Sequence, residues 1–250
     1  MIFIAVGNTR TLLARSDDGH HFEHISMATG TPPASILQGQ DPAFLHLDED
    51  ETVALGGVVP SALAAWRAAL PNHRVYEPDP KTFWNAVPGN YQPPESLGFD
   101  RRCCLLGAAR NYPQQDSIII DMGTAITIDL LADGRFQGGR ILPGIALTLH
   151  SLHLGTALLP DIRLHLPAPL WGNDTDGAIQ SGVFHLFADA LRNAITAYQE
   201  VFPNAQVLIT GGDATTWQAH IPDSHHLPDL LLRGFSEWMR DQVASTTKAL

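Results

Sequence analysis

Apolar residues gather along this chain in short blocks separated by glycine, proline and polar clusters. Ile2-Phe3-Ile4-Ala5-Val6 is an unbroken apolar run that stops at Gly7-Asn8-Thr9, and Arg10-Thr11-Leu12-Leu13 restarts a β-rich pattern ahead of Asp17-Asp18-Gly19. Runs of that length, bounded by turn residues, predict buried strands joined by tight turns. Residues 52–60 predict a further buried strand and 61–70 a short helix. Ile179, Val183, Phe187, Leu191 and Ile195 recur every four residues, with Phe184 and Tyr198 beside the stripe. That spacing predicts a long amphipathic helix with one buried face. Residues 206–210 predict a strand entering the Gly211-Gly212 turn, and 230–239 predict part of a C-terminal helix.

One plan occurs twice. Ile118-Ile119-Ile120 reaches Asp121, then Met122-Gly123-Thr124, then a second β-rich segment, then Asp133-Gly134. The first repeat runs in the same order from Ile2, with Ala5 where the second has Asp121. Asp-Gly is a hairpin turn signal, and the glycines behind the strands leave amides free to point at a ligand. An offset near half the chain length implies two similar domains facing one another, not a solenoid. Two unrelated hairpins in one sheet would leave the same local pattern, and both readings are α/β. The polar, proline-punctuated stretch Asn111 to Asp116 marks a boundary, giving domains at 1–112 and 117–250.

The chain has 250 residues, 44% hydrophobic and 16% charged, enough to bury a sizeable core. No apolar run approaches the ~20 residues of a membrane span, and the first residues lack the pattern of a signal peptide. The expectation is a soluble cytoplasmic protein that binds no membrane. The formal net charge is -11 with no basic stripe, which argues against nucleic-acid binding. A phosphorylated ligand stays possible, because amides and a metal can hold one. Cys103 and Cys104 are adjacent and too few for a disulfide framework or a zinc site. They read as small apolar residues on a helix. His150 and His153 lie three apart with no third metal ligand evident nearby, while His20-His21 and His225-His226 read as loop residues.

Phosphoryl transfer needs phosphates held by amides, a metal held by carboxylates or water, and a base beside the accepting hydroxyl. Asp121 ends an apolar strand, placed either to hold magnesium or to cap the next turn. Asp100 follows a loop marked by Pro93, Pro94 and Gly98 and precedes a helical stretch. It reads as a helix N-cap, a base, or both.

Taken together and in order, these motifs resemble type III pantothenate kinase almost end to end. Ala5-Val6-Gly7-Asn8-Thr9-Arg10 stands where the family has Asp-x-Gly-Asn-Thr. Val58-Val59-Pro60, Tyr91, Gly98-Phe99-Asp100-Arg101 and Asp121 to Thr127 follow. So do Gly138 to Gly144, Ser151-Leu152-His153, Thr156 to Pro160, Asn173 to Gly182 and Thr210-Gly211-Gly212. The resemblance implies two ribonuclease-H-like domains of actin/sugar-kinase type around a central nucleotide cleft. It implies ATP-dependent phosphorylation of pantothenate, the first step of coenzyme A synthesis. Asp100 would be the catalytic base. Tyr91, Gly98, Phe99, Asp100, Arg101 and Thr175 would bind the substrate. Val6, Gly7, Asn8, Thr9, Arg10 and Thr124 would contact ATP, which arrives with Mg2+. Asp121 would hold a monovalent cation, K+ or NH4+. A homodimer is implied, with the partner closing the substrate pocket.

Ala5 departs from the family pattern. A methyl group cannot coordinate a cation or its waters, so an alternative stays open: a catalytically weakened nucleotide-binding homologue acting as a regulatory or accessory factor. A kinase or phosphatase of the same fold acting on a sugar or polyphosphate is a third reading.

Overall fold

In a computed structural model, which describes residues 1–37, 47 and 51–248, the sequence repeat becomes a repeat of sheet topology. Strands β1 (Ile2–Val6), β2 (Arg10–Arg15) and β3 (Glu23–Ala28) form an antiparallel meander. After α1 (Pro33–Leu37), β4 (Thr52–Gly57) lies parallel to β1. Helix α2 (Pro60–Ala69) leads to β5 (Arg74–Tyr76), parallel to β4. The first sheet has the order β3-β2-β1-β4-β5. Its central strand β1 is an unbroken apolar run because it is buried on both faces. Edge strand β3 exposes alternate residues instead.

Helices α3 (Pro80–Phe83) and α4 (Phe99–Asn111) follow, and then the plan restarts. Strands β6 (Ser117–Met122), β7 (Ala125–Ala132) and β8 (Arg135–Pro143) come in succession, β6 antiparallel to β7. Asp133 and Gly134, both at positive φ, make the two-residue turn before β8. Helices α5 (Ile145–Gly155) and α6 (Thr175–Gln199) precede β9 (Gln206–Thr210), which pairs parallel to β6. Helix α7 (Ala214–Trp217) leads to β10 (Ser224–His226), parallel to β9. The second sheet runs β10-β9-β6-β7-β8, the same order of roles as the first. His225 and His226 therefore belong to a strand, not to the loop the sequence suggested.

The chain divides into two compact units. Unit 1 is Met1–Gln114, Gly134–Phe136 and Asp229–Leu250, and unit 2 is Gln115–Asp133 and Gln137–Pro228. The break after Gln114 falls inside the predicted linker. The last helix, α8 (Leu230–Lys248), differs from the expected 117–250 grouping: it packs in unit 1 against α4. Two glycines permit that crossing. A Cβ on Gly107 would lie 2.6 Å from the Leu230 carbonyl oxygen, and one on Gly234 would strike the Cys103 carbonyl. Cys103 and Cys104 are buried in α4 and not joined in a disulfide, and burial pushes the Cys103 thiol well up. Phe235 and Met239 of α8 are fully buried.

Candidate active site

The first glycine hairpin is closed by Gly7 N–H donating to the Arg10 carbonyl at 2.9 Å. Thr29, just after β3, braces it, its hydroxyl donating to Gly7 O at 2.7 Å and its amide to Thr9 O at 3.0 Å. Arg10 reaches the same strand, its Nε donating to Ser26 Oγ and its Nη2 to Ser26 O, both at 2.6 Å. Val6 is buried, whereas Asn8 and Thr9 stand exposed at the tip. Ala5 is 4% exposed and in register with Leu12 on β2 and Gly56 on β4. Strand alternation turns its methyl away from Ile4 and Val6, which pack with Leu13, Leu55 and Trp66.

The second hairpin is its counterpart in unit 2. Gly123 N–H donates to Ala125 O at 3.2 Å, and Asp121 is in register with Thr127 and Thr210 as Ala5 is with Leu12 and Gly56. The Asp121 side chain is half-buried beside Gly211, where a Cβ would sit 2.4 Å from its Oδ1. With φ +94, Gly211 is required twice, for its backbone and for the room it leaves the carboxylate. A hard carboxylate oxygen suits magnesium or a monovalent cation. Among the described residues no group of three or more His, Cys, Asp or Glu could hold a metal. A cation here would complete its shell with water and phosphate oxygens, as magnesium commonly does.

A cavity of about 500 Å³ opens next to this hairpin within unit 2. Gly144 N–H donates to Thr124 O at 2.9 Å, and Asp213 N–H donates to Met122 O at 3.1 Å. The next residue after Gly144, Ile145, and Asp213 itself line the cavity with Leu149, Arg163, Leu164 and Trp217. Nothing in the sequence marks the 161–166 wall, because an irregular segment has no period to read. Desolvation raises the Asp213 pKa. A carboxyl raised on folding binds protons more tightly folded than unfolded, so stability falls as pH rises through the unfolded value, ~4, and stays lower above the folded one. Asp213→Asn is therefore expected to raise the melting temperature at pH 7 and to lose that gain below pH 4. Thermal melts across pH check this; an equal gain at pH 3.5 would refute the desolvation account.

Tyr91, Gly98, Phe99, Asp100 and Arg101 come together in unit 1. Helix α4 begins at Phe99 with Gly98 at the N-cap, so Asp100 is not the cap but lies in the first turn. Its Oδ1 accepts from Arg101 N–H at 2.8 Å, and an anion at a helix start is favoured by the helix dipole. Arg101 is 5% exposed, and its guanidinium carbon lies 5.4 Å from the Tyr91 ring centroid and 5.6 Å from that of Phe136. Its Nη1 donates to Tyr91 Oη at 3.3 Å. Phe136 is brought here by its amide, which donates to Pro88 O at 2.8 Å. Nothing local in the sequence marks it. Phe99, expected in the substrate pocket, turns its ring to Phe235 and Phe83. Thr175 lies in unit 2, exposed at the start of α6, where Asp174 caps by accepting from Gly177 N–H at 2.7 Å.

Arg102 was also missed. It is 5% exposed, and it donates to the carbonyls of Leu97 at 2.8 Å, Pro94 at 2.9 Å and Pro80. Burial lowers its pKa, and those carbonyls fasten the loop before α4. Adjacent arginines thus do different work, because successive helical residues point about 100° apart.

A family model described as type III pantothenate kinase matches residues 1–197. The chain belongs to that family. The type III pantothenate kinase of Synechococcus elongatus is 38% identical over 208 residues, covering 80% of this chain and 78% of its own. That of Fervidobacterium nodosum is 30% identical over 245 residues, 94% of each chain. Among solved structures, a protein from Campylobacter jejuni described as a Baf family transcriptional activator has a TM-score of 0.61 at 18% identity, covering 98% of this chain and 100% of that one. An inorganic polyphosphate/ATP-glucomannokinase from Arthrobacter has a TM-score of 0.50 at 14% identity, covering 97% and 98%. At those identities the likeness is one of fold, the two-domain actin/sugar-kinase type, and it lends nothing to a transcriptional or sugar-kinase reading.

Proposed function

We propose that the protein transfers the terminal phosphoryl group of ATP to the primary hydroxyl of pantothenate, yielding 4'-phosphopantothenate for coenzyme A synthesis. The observation that carries this is the Asp100–Arg101 turn in a chain of this family. Asp100 sits half-buried in the first turn of α4, able to orient the hydroxyl and accept its proton. Arg101, over the rings of Tyr91 and Phe136, would offer a preorganised cation to the pantothenate carboxylate. Tyr91 and the backbone of Gly98 and Phe99 complete the substrate side in unit 1; Thr175, exposed at the start of α6, is a further proposed pantothenate contact.

The amides of Gly7, Asn8 and Thr9, flanked by Val6 and Arg10, and the Thr124 hairpin would hold phosphates. The cavity beside Ile145 and Asp213 would take the nucleoside. Asp121 would hold the monovalent cation, K+ or NH4+, and Mg2+ would come with ATP; these ions supply charge neutralisation as the phosphoryl group moves. No helix among the described residues is long and apolar enough to cross a membrane. An ATP-dependent step of central metabolism supports a cytoplasmic location. Leu147 and Leu154, two turns apart on α5, are 48% and 71% exposed, and Leu158 is 91% exposed. An apolar face of that kind supports a homodimer.

The test is ATP-dependent product formation with pantothenate, glucose and polyphosphate compared as acceptors or donors, in K+ and in Na+. Turnover is expected with pantothenate and ATP alone, faster in K+. Turnover with glucose and none with pantothenate would overturn the assignment.

A further inference from the structure

We propose that Phe99, seated in the gap that Gly56 leaves on β4, is the positioning residue that fixes the Asp100–Arg101 turn. The proposal rests on Asp100 and Arg101 being the substrate-side pair. Helix α4 starts without the usual device: Gly98, at its N-cap, offers no side-chain hydrogen bond. Something else must set where the first turn stands. Phe99, the first helical residue, is held by packing. A Cβ on Gly56 would lie 2.3 Å from its Cε2 and 2.6 Å from its Cζ, so the ring occupies the space a side chain on β4 would fill. The edge of Phe235 meets it at 4.9 Å between centroids and 84° between planes, and Phe83 lies 6.3 Å away. Both neighbours are themselves buried, Phe235 at 0% and Phe83 at 4% exposure.

A ring gripped by a strand and by two buried aromatics fixes its own Cα, and with it the residue that follows. Asp100 and Arg101 then leave the helix in set directions. Reactions of this kind are sensitive to placement, a 1 Å error costing on the order of 100-fold. Gly56 is also in register with Ala5, so two small residues side by side open the same face of the first sheet. The fit is reciprocal: any side chain at 56 must displace the ring at 99, and a smaller residue at 99 should accept one. Gly98 adds a local constraint, since a Cβ there would lie 2.6 Å from Asp100 Oδ1.

The experiment compares the native protein, Gly56→Ala, Phe99→Leu and the double variant by kcat, KM for each substrate and melting temperature. Gly56→Ala is expected to lose about 100-fold in kcat/KM for pantothenate, with KM for ATP within about twofold of native. The double variant should recover at least about tenfold of that loss. Native kinetics in Gly56→Ala, a fall in melting temperature alone, or a double variant no better than Gly56→Ala would each overturn the proposal. If Gly56→Ala does not fold, Phe99→Leu decides: kcat down about tenfold with ATP KM unchanged supports the role, and unchanged kcat removes it. Asp100→Asn is assayed beside them. If it keeps turnover, the reading of Asp100 fails, while recovery of the pantothenate KM in the double variant still decides whether Phe99 positions Arg101.

Discussion

Asp100→Asn is expected to lower kcat at least 100-fold, roughly the lower bound for loss of a general base, while leaving the fold and ATP affinity close to native. The separation follows from where Asp100 sits. It is in the first turn of α4, half-buried, and its Oδ1 accepts from the amide of Arg101. The amide oxygen of asparagine can accept the same bond, so the helix start keeps its contact. What the substitution removes is the capacity to take a proton from the hydroxyl. The proposed nucleotide contacts belong to other residues, in the Gly7 and Gly123 hairpins, so on that reading ATP binding has no reason to change. Single-turnover rates with saturating pantothenate, read beside nucleotide binding by calorimetry, check both halves. A variant that keeps kcat within tenfold would remove Asp100 from the role of base. One that loses ATP affinity equally would show damage to the fold instead.

What could be read from the sequence was the part written in local chemistry. Alternating runs, Asp-Gly turns and paired glycines marked β1–β2 and β6–β7 as one plan used twice, and the two sheet orders agree with it. The four-residue spacing of Ile179 to Ile195 marked α6. What escaped depended on partners far along the chain. The return of α8 to unit 1 rests on Gly107 and Gly234 removing side chains where two backbones meet. Each glycine alone reads as a weak helix residue. Arg101 and Arg102 look alike in sequence, yet one lies across Tyr91 and Phe136 while the other binds loop carbonyls from inside. Phe99 sits inside a motif that suggested a ligand contact, but a glycine on a strand more than forty residues earlier gives its ring a place beside Phe235 and Phe83. Asp100 and Asp121 were singled out through motif order; the structure adds that Asp100 accepts from the Arg101 amide and that Asp121 lies beside Gly211.

Ala5→Asp is expected to raise kcat by about tenfold or more and to lower the melting temperature. The two hairpins supply the argument. Ala5 and Asp121 hold the same place in equivalent strands, each ahead of the turn glycine and each in register with the neighbouring parallel strand. Gly211 makes room for the Asp121 carboxylate, and Gly57 is its topological counterpart, where a Cβ would meet Val6 O at 2.3 Å. Position 5 thus keeps the strand place and the adjoining turn glycine of its counterpart, with a methyl where that has a carboxylate. Losing one preorganised charge at a reacting phosphate typically costs 10²–10³ in rate, roughly 3–4 kcal/mol. The Gly7 to Thr9 amides remain in the native chain, so ATP binding should differ little between the two proteins. Stability should move the other way, because a carboxylate placed at a 4% exposed position is desolvated. A variant that is less stable yet faster cannot owe its rate to a firmer fold. Equal turnover in the two proteins would mean that Asp121 and the ions suffice on their own. No turnover in either, with nucleotide still bound, would move the protein from kinase to nucleotide-binding accessory factor.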